Sequence, residues 1–303
     1  MEQKKGWLIK IRQALYTSSA FAYLRITANQ RLKPRKRLRF ETDVTAHCNL
    51  NCKSCHHFSP VADQYFVKTE IFEKDFERLS QLAGRNNENI DIMGGEPLLH
   101  PEISTLAEIA RKYFDGPVNI VTNGLVLEKM NEVFWESCRK NNIRIIVTSY
   151  PVKLNVKRIK ELAKKHNVTL KIRTRFMDKH AWSKLPLDLN GLQCIMKNRK
   201  FCLTVNTCIF LKDGRLATCC LPLVADRFNN YFSKDMGTRS DSFEPTTLEA
   251  TDDDSIDIYK AKDIGEVYEF LSKPIPFCRY CRIKSWEIGI EWGVSKKEIT
   301  EWI

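Results

Sequence analysis

Between residues 37 and 174 the hydrophobic positions switch repeatedly between two spacings. RLRFETDVT (37–45) alternates with period two, which predicts a strand. KTEIFEKDFERLSQLA (68–83) sets Ile71, Phe72, Phe76 and Leu79 along one helical face. Strand patterns return at NIDIM (89–93), PVNIVT (117–122), IRIIVTSY (143–150) and VTLKIRT (168–174). Helical patterns separate them at EISTLAEIARKYF (102–114), LEKMNEVFWESCRK (127–140) and KLNVKRIKELAKKH (153–166). Strands alternating with helices at this spacing predict an α/β fold, a parallel sheet joined by right-handed crossovers. Such folds place their chemistry on the loops that follow the strands. Here those loops are TAHCNLNCKSCHHFSP (45–60) after the first strand and GGEP (94–97) after the second.

From about residue 190 the rhythm changes. CLTVNTCIFLKDGRLATCC (202–220) predicts a β-hairpin that turns at Lys212-Asp213-Gly214, because Asp-Gly tolerates the positive φ of a tight hairpin turn. Residues 233–255 are polar and acidic and predict a loop. IGEVYEFLSK (264–273) predicts a helix leading to PIPFCRYC, and near the end Ser295 and Glu298 have the spacing of a capping box. Three parts follow: a basic arm with a helix (1–36), an α/β core (37–190) and a smaller C-terminal unit (191–303). No internal repeat is visible.

Composition narrows the class. With 43% hydrophobic residues the chain can bury a substantial core, yet no apolar run approaches the roughly 20 residues of a membrane span. The start lacks the shape of a signal peptide, since Lys10 and Arg12 interrupt its apolar residues. A cytoplasmic protein is expected. Residues 1–40 hold eleven Lys and Arg against Glu2 alone, so +10 of the net +12 lies there. Such an arm fits an anionic partner. WLIKIRQALYTSSAFAYL can form an amphipathic helix with Trp7, Ile11 and Leu15 on one face, which would let the arm rest on an anionic membrane surface. The plainer alternative is a helix packed on the body with a solvated basic face; nucleic acid is the least favoured partner.

Of the eleven cysteines all but Cys138 are clustered, at 48–55, at 194–220 and at 278 and 281. In a reducing compartment that points to metal ligation rather than disulfides. Cys48, Cys52 and Cys55 give C-x3-C-x2-C, one thiolate short of a closed site. Spacing alone leaves two arrangements. One is a [4Fe–4S] cluster whose fourth iron keeps an open position for a small molecule. The other is a zinc site completed by His47, His56 or His57.

Taken with GGEP (Gly94, Gly95, Glu96, Pro97), the trio resembles the radical S-adenosylmethionine (SAM) superfamily. The resemblance covers roughly residues 37–180 and implies a partial (β/α)6 TIM-like barrel. It implies that Cys48, Cys52 and Cys55 hold a [4Fe–4S] cluster whose open iron chelates SAM. It also implies that Gly94 and Gly95 admit the SAM amino group, with Glu96 positioning that region. Thr122, Asn123 and Ser149 fall where such enzymes contact the SAM ribose and carboxylate. Ser54 departs from the family pattern, which has an aromatic residue before the third cysteine. His56, His57 and Phe58 then read as pocket lining or as ordinary packing.

Cys208-x5-Gly214-x4-Cys219 followed by Cys278-x2-Cys281 resembles the SPASM/twitch extension of the same superfamily, a small β-hairpin-plus-helix domain. That resemblance implies a second, auxiliary [4Fe–4S] cluster held by four of Cys202, Cys208, Cys219, Cys278 and Cys281. A zinc ribbon is the alternative, since ligand spacing does not separate the two metals. Cys138 and Cys194 read as plain thiols. Cys220 could return a hydrogen atom to a substrate radical, although a small core residue is the simpler role. The resemblance implies an enzyme served by an electron donor such as flavodoxin or ferredoxin. Its substrate would be a saccharide, oxidised or epimerised in surface-polysaccharide biosynthesis. A peptide-modifying enzyme and a zinc-stabilised nucleic-acid-binding protein are the alternatives. Trp286, Trp292 and Trp302 fit either a pocket wall or a core.

Overall fold

The five period-two stretches are the five strands at one end of the sheet. In the computed structural model, which describes residues 33–174, 178–207, 209–233 and 247–303, β1 (Arg39–Thr45), β2 (Asn89–Gly94), β3 (Val118–Thr122), β4 (Ile143–Thr148) and β5 (Leu170–Arg173) pair in sequence order, all parallel. Four helices link them: α1 (Thr69–Ala83), α2 (Ile103–Tyr113), α3 (Glu132–Lys140) and α4 (Val156–Lys165). The helix expected over 127–140 is split. Residues 127–129 form a short 3-10 turn, and Asn131 then caps α3 by accepting a 3.0 Å bond from Phe134 N–H. The basic arm lies almost wholly in residues 1–32, outside the described residues.

Period-two alternation sends the two sets of strand side chains to opposite faces. Phe40, Val44, Ile90, Ile92, Val118, Ile120, Ile143, Ile145 and Val147 pack with Phe72, Phe76, Leu79, Leu106 and Ile159 of the helices, forming one core. Several of the alternate positions are polar. Arg39 reaches Asp91 at 2.5 Å, Asn119 donates to Asp91 at 2.5 Å, and Arg144 donates to Asn119 at 3.0 Å. This row crosses four strands. Parallel sheets are normally apolar on both faces, so a hydrogen-bonded polar face marks the side reserved for something other than helix packing.

The hairpin forms, but its strands are short: β7 (Ile209–Lys212) and β8 (Arg215–Ala217). Asp213 and Gly214 have φ of 49° and 72°, the positive values that a two-residue turn of this hand requires. β7 pairs parallel with β1, so the hairpin extends the core sheet, and β9 (Ile256–Asp257) closes the order β5-β4-β3-β2-β1-β7-β8-β9. Among the described residues β5 and β9 are the two edges, so this is an open, partial TIM-like barrel. Asp75 of α1 fastens the turn by accepting from Gly214 N–H at 2.8 Å and from Tyr259 Oη at 2.7 Å.

Further elements carry no strong periodicity: β6 (Trp182–Lys184), α5 (Ile195–Phe201), α6 (Leu221–Phe232) and β10 (Glu287–Ile290), beside the expected helix α7 (Ile264–Ser272). α6 gathers Phe58, Phe210, Phe228, Phe232, Phe277 and Trp302 into a second core. The capping box at Ser295 does not form. Lys297 has φ of 61°, which an α-helix cannot take, and its N–H goes to Ser295 Oγ at 3.0 Å. Among the described residues no helix is long and apolar enough to cross a membrane.

Candidate active site

Three residues of the cysteine loop are left-handed: Asn51, Ser54 and Phe58, with φ of 50°, 55° and 52°. Asn adopts this conformation readily; Ser and Phe do so at a cost of about 1–2 kcal/mol. Distant residues hold the loop there. Ser54 Oγ donates to Glu301 O at 2.8 Å, and Lys53 N–H to Gly293 O at 2.9 Å. Trp182 Nε1 donates to Lys53 O at 2.8 Å, and Trp302 Nε1 to Cys55 O at 2.9 Å. Ser54, where the family has an aromatic residue, is thus a buried anchor for the C-terminal segment.

The sulfurs of this loop receive N–H donors. Trp292 Nε1 lies 3.1 Å from Cys52 Sγ, Leu50 N 3.4 Å from Cys48 Sγ, and Asn123 Nδ2 3.7 Å from the same sulfur. Burial pushes Cys48 up to about 11 and Cys52 up to about 12, and raises Cys55 as well. At neutral pH such thiols stay protonated unless a bound cation stabilises the thiolates. Tyr150 lies close enough to feel all three cysteines, and its ring approaches Trp182 at 5.8 Å and Trp292 at 6.4 Å. No motif or spacing points to Tyr150.

Gly94 and Gly95 lay the loop after β2 against the backbone of the loop after β1. Gly95 N–H donates to Thr45 O at 2.9 Å and Glu96 N–H to His47 O at 3.1 Å. A Cβ on Gly94 would overlap the Thr45 backbone, and one on Gly95 the His47 carbonyl. The close approach within the chain is therefore backbone to backbone. Glu96 is fully buried and accepts from Thr122 Oγ1 at 2.6 Å, Asn123 N–H at 2.8 Å and Leu98 N–H at 3.1 Å. Burial pushes its carboxyl up to about 7 while these donors pull it down. The hydroxyl proton of Thr122 is thereby committed to Glu96. Asn123 points its amide at Asn49 Oδ1, 2.7 Å away. Ser149 is buried at the end of β4, its N–H on Arg173 O at 3.0 Å.

Beside the loop, Asp43 is buried between Arg227 Nη1, at 2.8 Å, and His57 Nδ1, at 3.1 Å. Burial would raise its carboxyl, but His57 and Arg227 hold it below the usual carboxylate range. Asp43 Oδ1, Arg227 Nη2, His56 Nε2 and Trp286 Nε1 are buried without a hydrogen-bond partner. His56 meets the Trp286 ring edge-on at 5.8 Å, and burial holds its imidazole down to about 4. His57 thus belongs to a charged network, Phe58 packs in the second core, and His56 keeps an open nitrogen. Sequence reading missed Asp43 and Arg227, which are 184 residues apart.

The later cysteines converge on one cavity. Cys202, Cys219, Cys278 and Cys281 line it, with Asn198, Arg199 and apolar walls. Asn198 Nδ2 donates to Cys278 O at 2.7 Å and also to Cys281 O. Burial pushes Cys278 up to about 11 and raises Cys219 and Cys281. Buried Arg199 sends Nη2 to Leu271 O at 2.5 Å and puts a cation beside the sulfurs. Four thiol donors, one cation and dry walls fit a group ligated by four thiolates. Cys208, the fifth candidate, lies outside the described residues. Cys138 is buried on α3 and Cys194 is exposed before α5. Cys220 turns away from its neighbour, its sulfur 3.9 Å from His56 O, with burial keeping the thiol protonated. Among the described residues no three His, Cys, Asp or Glu side chains gather around a single-ion position.

Residues 42–173 match the family model described as the radical SAM superfamily. The chain is 31% identical over 96 residues to a probable GTP 3′,8-cyclase of Thermoplasma volcanium, and 36% identical over 97 residues to the GTP 3′,8-cyclase of Chlorobaculum tepidum. Each match covers 31% of this chain and 28% of the relative, so the chain spans under a third of the curated relatives it matches. Among solved structures it is similar to BtrN in complex with AdoMet and 2-DOIA (TM-score 0.48, 16% identity, 82% of this chain and 94% of that one). It is also similar to anSMEcpe with bound AdoMet and Cp18Cys peptide (TM-score 0.43, 14% identity, 84% and 93%). Residues 42–173, which hold the three-cysteine loop and GGEP, form a radical SAM domain.

Proposed function

We propose that this chain is an oxidoreductase or epimerase that removes hydrogen from a saccharide, free or carried on a nucleotide or lipid, in surface-polysaccharide biosynthesis. The observation that best supports a polar substrate is the inner face of the sheet, where Asp43, Asp91, Asn119 and Arg144 replace the apolar residues of an ordinary parallel sheet. Cys48, Cys52 and Cys55 would hold the [4Fe–4S] cluster that binds SAM; Cys202, Cys219, Cys278 and Cys281 would hold the auxiliary one. Bound there, SAM and the two clusters would supply a 5′-deoxyadenosyl radical and an acceptor for a second electron.

The chain's own residues do the positioning. Trp292, Asn123 and the Leu50 amide direct N–H groups at two of the three sulfurs, the kind of contact that tunes a metal site. Glu96 locks the loops after β2 and β3 together, so Gly94, Gly95, Thr122 and Asn123 keep one geometry for SAM. Tyr150, Trp182 and Trp292 put aromatic rings beside the sulfurs and would keep water from the reacting atoms. The protonated Cys220 thiol supports the epimerase outcome: it could give its hydrogen atom to a substrate radical, and the thiyl left behind would regain one electron and one proton through a flavodoxin or ferredoxin. The basic arm would hold a cytoplasmic enzyme near anionic membrane or phosphorylated glycan.

Anaerobic reconstitution, followed by assay of 5′-deoxyadenosine, tests the reading. A substrate deuterated at a carbinol carbon should pass deuterium into 5′-deoxyadenosine, whereas GTP and peptides should not support turnover. A colourless zinc protein without SAM cleavage would refute the enzyme; deuterium transfer from a peptide would replace the saccharide.

A further inference from the structure

Among the described residues that line the cavity of Cys202, Cys219, Cys278 and Cys281, Arg199 is the only basic one and none is Asp or Glu. It is 4% exposed, and a guanidinium keeps its charge inside a protein. Cys278, Cys202 and Cys219 all lie within its electrostatic reach. Its position is fixed from behind. Leu271 O, in the last turn of α7, accepts from Arg199 Nη2 at 2.5 Å and from Asn206 Nδ2 at 2.8 Å. The C-terminal end of a helix is its negative end, which suits a cation. α5 brings three groups to this one cavity. Asn198 Nδ2 holds the carbonyls of Cys278 and Cys281, Arg199 supplies the charge, and Cys202 follows the helix end with its thiol.

One anion opposes it. Buried Asp254 also acts on Cys219 and Cys278. Both its oxygens are taken, by the Thr251 N–H and hydroxyl and by Phe277 N–H at 2.6 Å, and it does not line the cavity. On Cys278 the charge of Arg199 outweighs that of Asp254. A four-thiolate iron–sulfur cluster that takes up one electron gains one negative charge, with no bond made or broken. A fixed cation beside it favours the reduced form over the oxidised one, and burial leaves that attraction poorly screened. Net charge is one of the terms that set such potentials. We propose that Arg199 raises the reduction potential of the group held by Cys202, Cys219, Cys278 and Cys281, and so makes this cavity an electron acceptor. Arg199 acts through the sulfurs and is a positioning residue. A cavity poised this way suits oxidation of the substrate, in which a second electron must leave. The inference rests on the auxiliary-cluster reading above and names the residue that tunes it.

Potentiometric titration of the anaerobically reconstituted full chain tests it, with dithionite as reductant and electron paramagnetic resonance to read the reduced cluster. A Cys52→Ala chain leaves only the later cysteines to give a signal. Adding Arg199→Gln should make reduction about tenfold less favourable, roughly 59 mV lower for a one-electron couple. Arg199→Lys keeps the charge and should stay near the midpoint of the Cys52→Ala chain. If Arg199→Gln holds no cluster, an Arg199→Lys chain that keeps both cluster and midpoint still assigns the effect to charge. An unchanged midpoint in Arg199→Gln, or the same loss or shift in both variants, would overturn the inference and leave the cluster reading standing. A Cys52→Ala chain with no iron–sulfur signal at all would overturn both.

Discussion

The carboxylate of Glu96, on the loop after β2, accepts a 2.6 Å hydrogen bond from the hydroxyl of Thr122, at the end of β3. The same group takes the amide of Asn123 at 2.8 Å, so one buried acid ties two strand-end loops together. Glu96→Ala strands three donors in a buried site. A cost of about 3 kcal/mol is expected, measured by denaturant unfolding. SAM binding should fall with it, because Thr122 and Asn123 lose their common anchor.

Gly95→Ala should be more damaging than its single methyl implies. The added Cβ would overlap the His47 carbonyl, and neither backbone can yield without moving the cysteine loop. Iron content of the purified variant should drop, together with SAM binding in equilibrium dialysis. Retention of both at wild-type levels would mean that the two loops part easily.

The two cysteine groups should separate by iron count. If each holds one four-iron cluster, wild type carries ~8 iron per chain and either Cys52→Ala or Cys278→Ala carries ~4. Only Cys52→Ala should abolish SAM cleavage. Cys281→Ala should behave like Cys278→Ala, since both sulfurs line one cavity, whereas Cys138→Ala should change neither readout.

His56 predicts an acid-side loss of stability. Burial holds its folded-state pKa down to about 4, against 6.5 ordinarily. Between those values the unfolded chain binds the extra proton, so stability falls as pH drops from 6.5 through 4. The loss is about 2 kcal/mol after allowance for the ring's residual exposure. His56→Phe should remove this slope in denaturant titrations between pH 4 and 7, and an unchanged slope would assign it to other groups.

Much of the fold was legible in local pattern. The period-two runs became β1 to β5, because alternation is a property of the strand itself. Asp213-Gly214 became the hairpin turn, because positive φ is a property of those residue types. The three-cysteine loop and GGEP were legible because both sit at strand ends and need only a few adjacent residues. α6 was not: it begins directly after the Cys219-Cys220 pair, and its role is to complete a core built from residues far away in the chain. The capping box was over-read, since two residues at the right spacing do not make a helix when the backbone between them turns left-handed.

By itself, the sequence determined which residue types stand at the ends of which strands, and so the chemistry on offer: three thiols, two glycines and an acid. Tertiary structure alone decided how those groups are held. The C-terminal tryptophans fasten the cysteine loop across roughly 240 residues of chain. Arg227 meets Asp43 from α6, and Cys202 and Cys219 meet Cys278 and Cys281 around one cavity. No local pattern encodes those meetings. Each joins residues whose spacing has no period, and each exists only in the folded chain, where apolar burial excludes water around it.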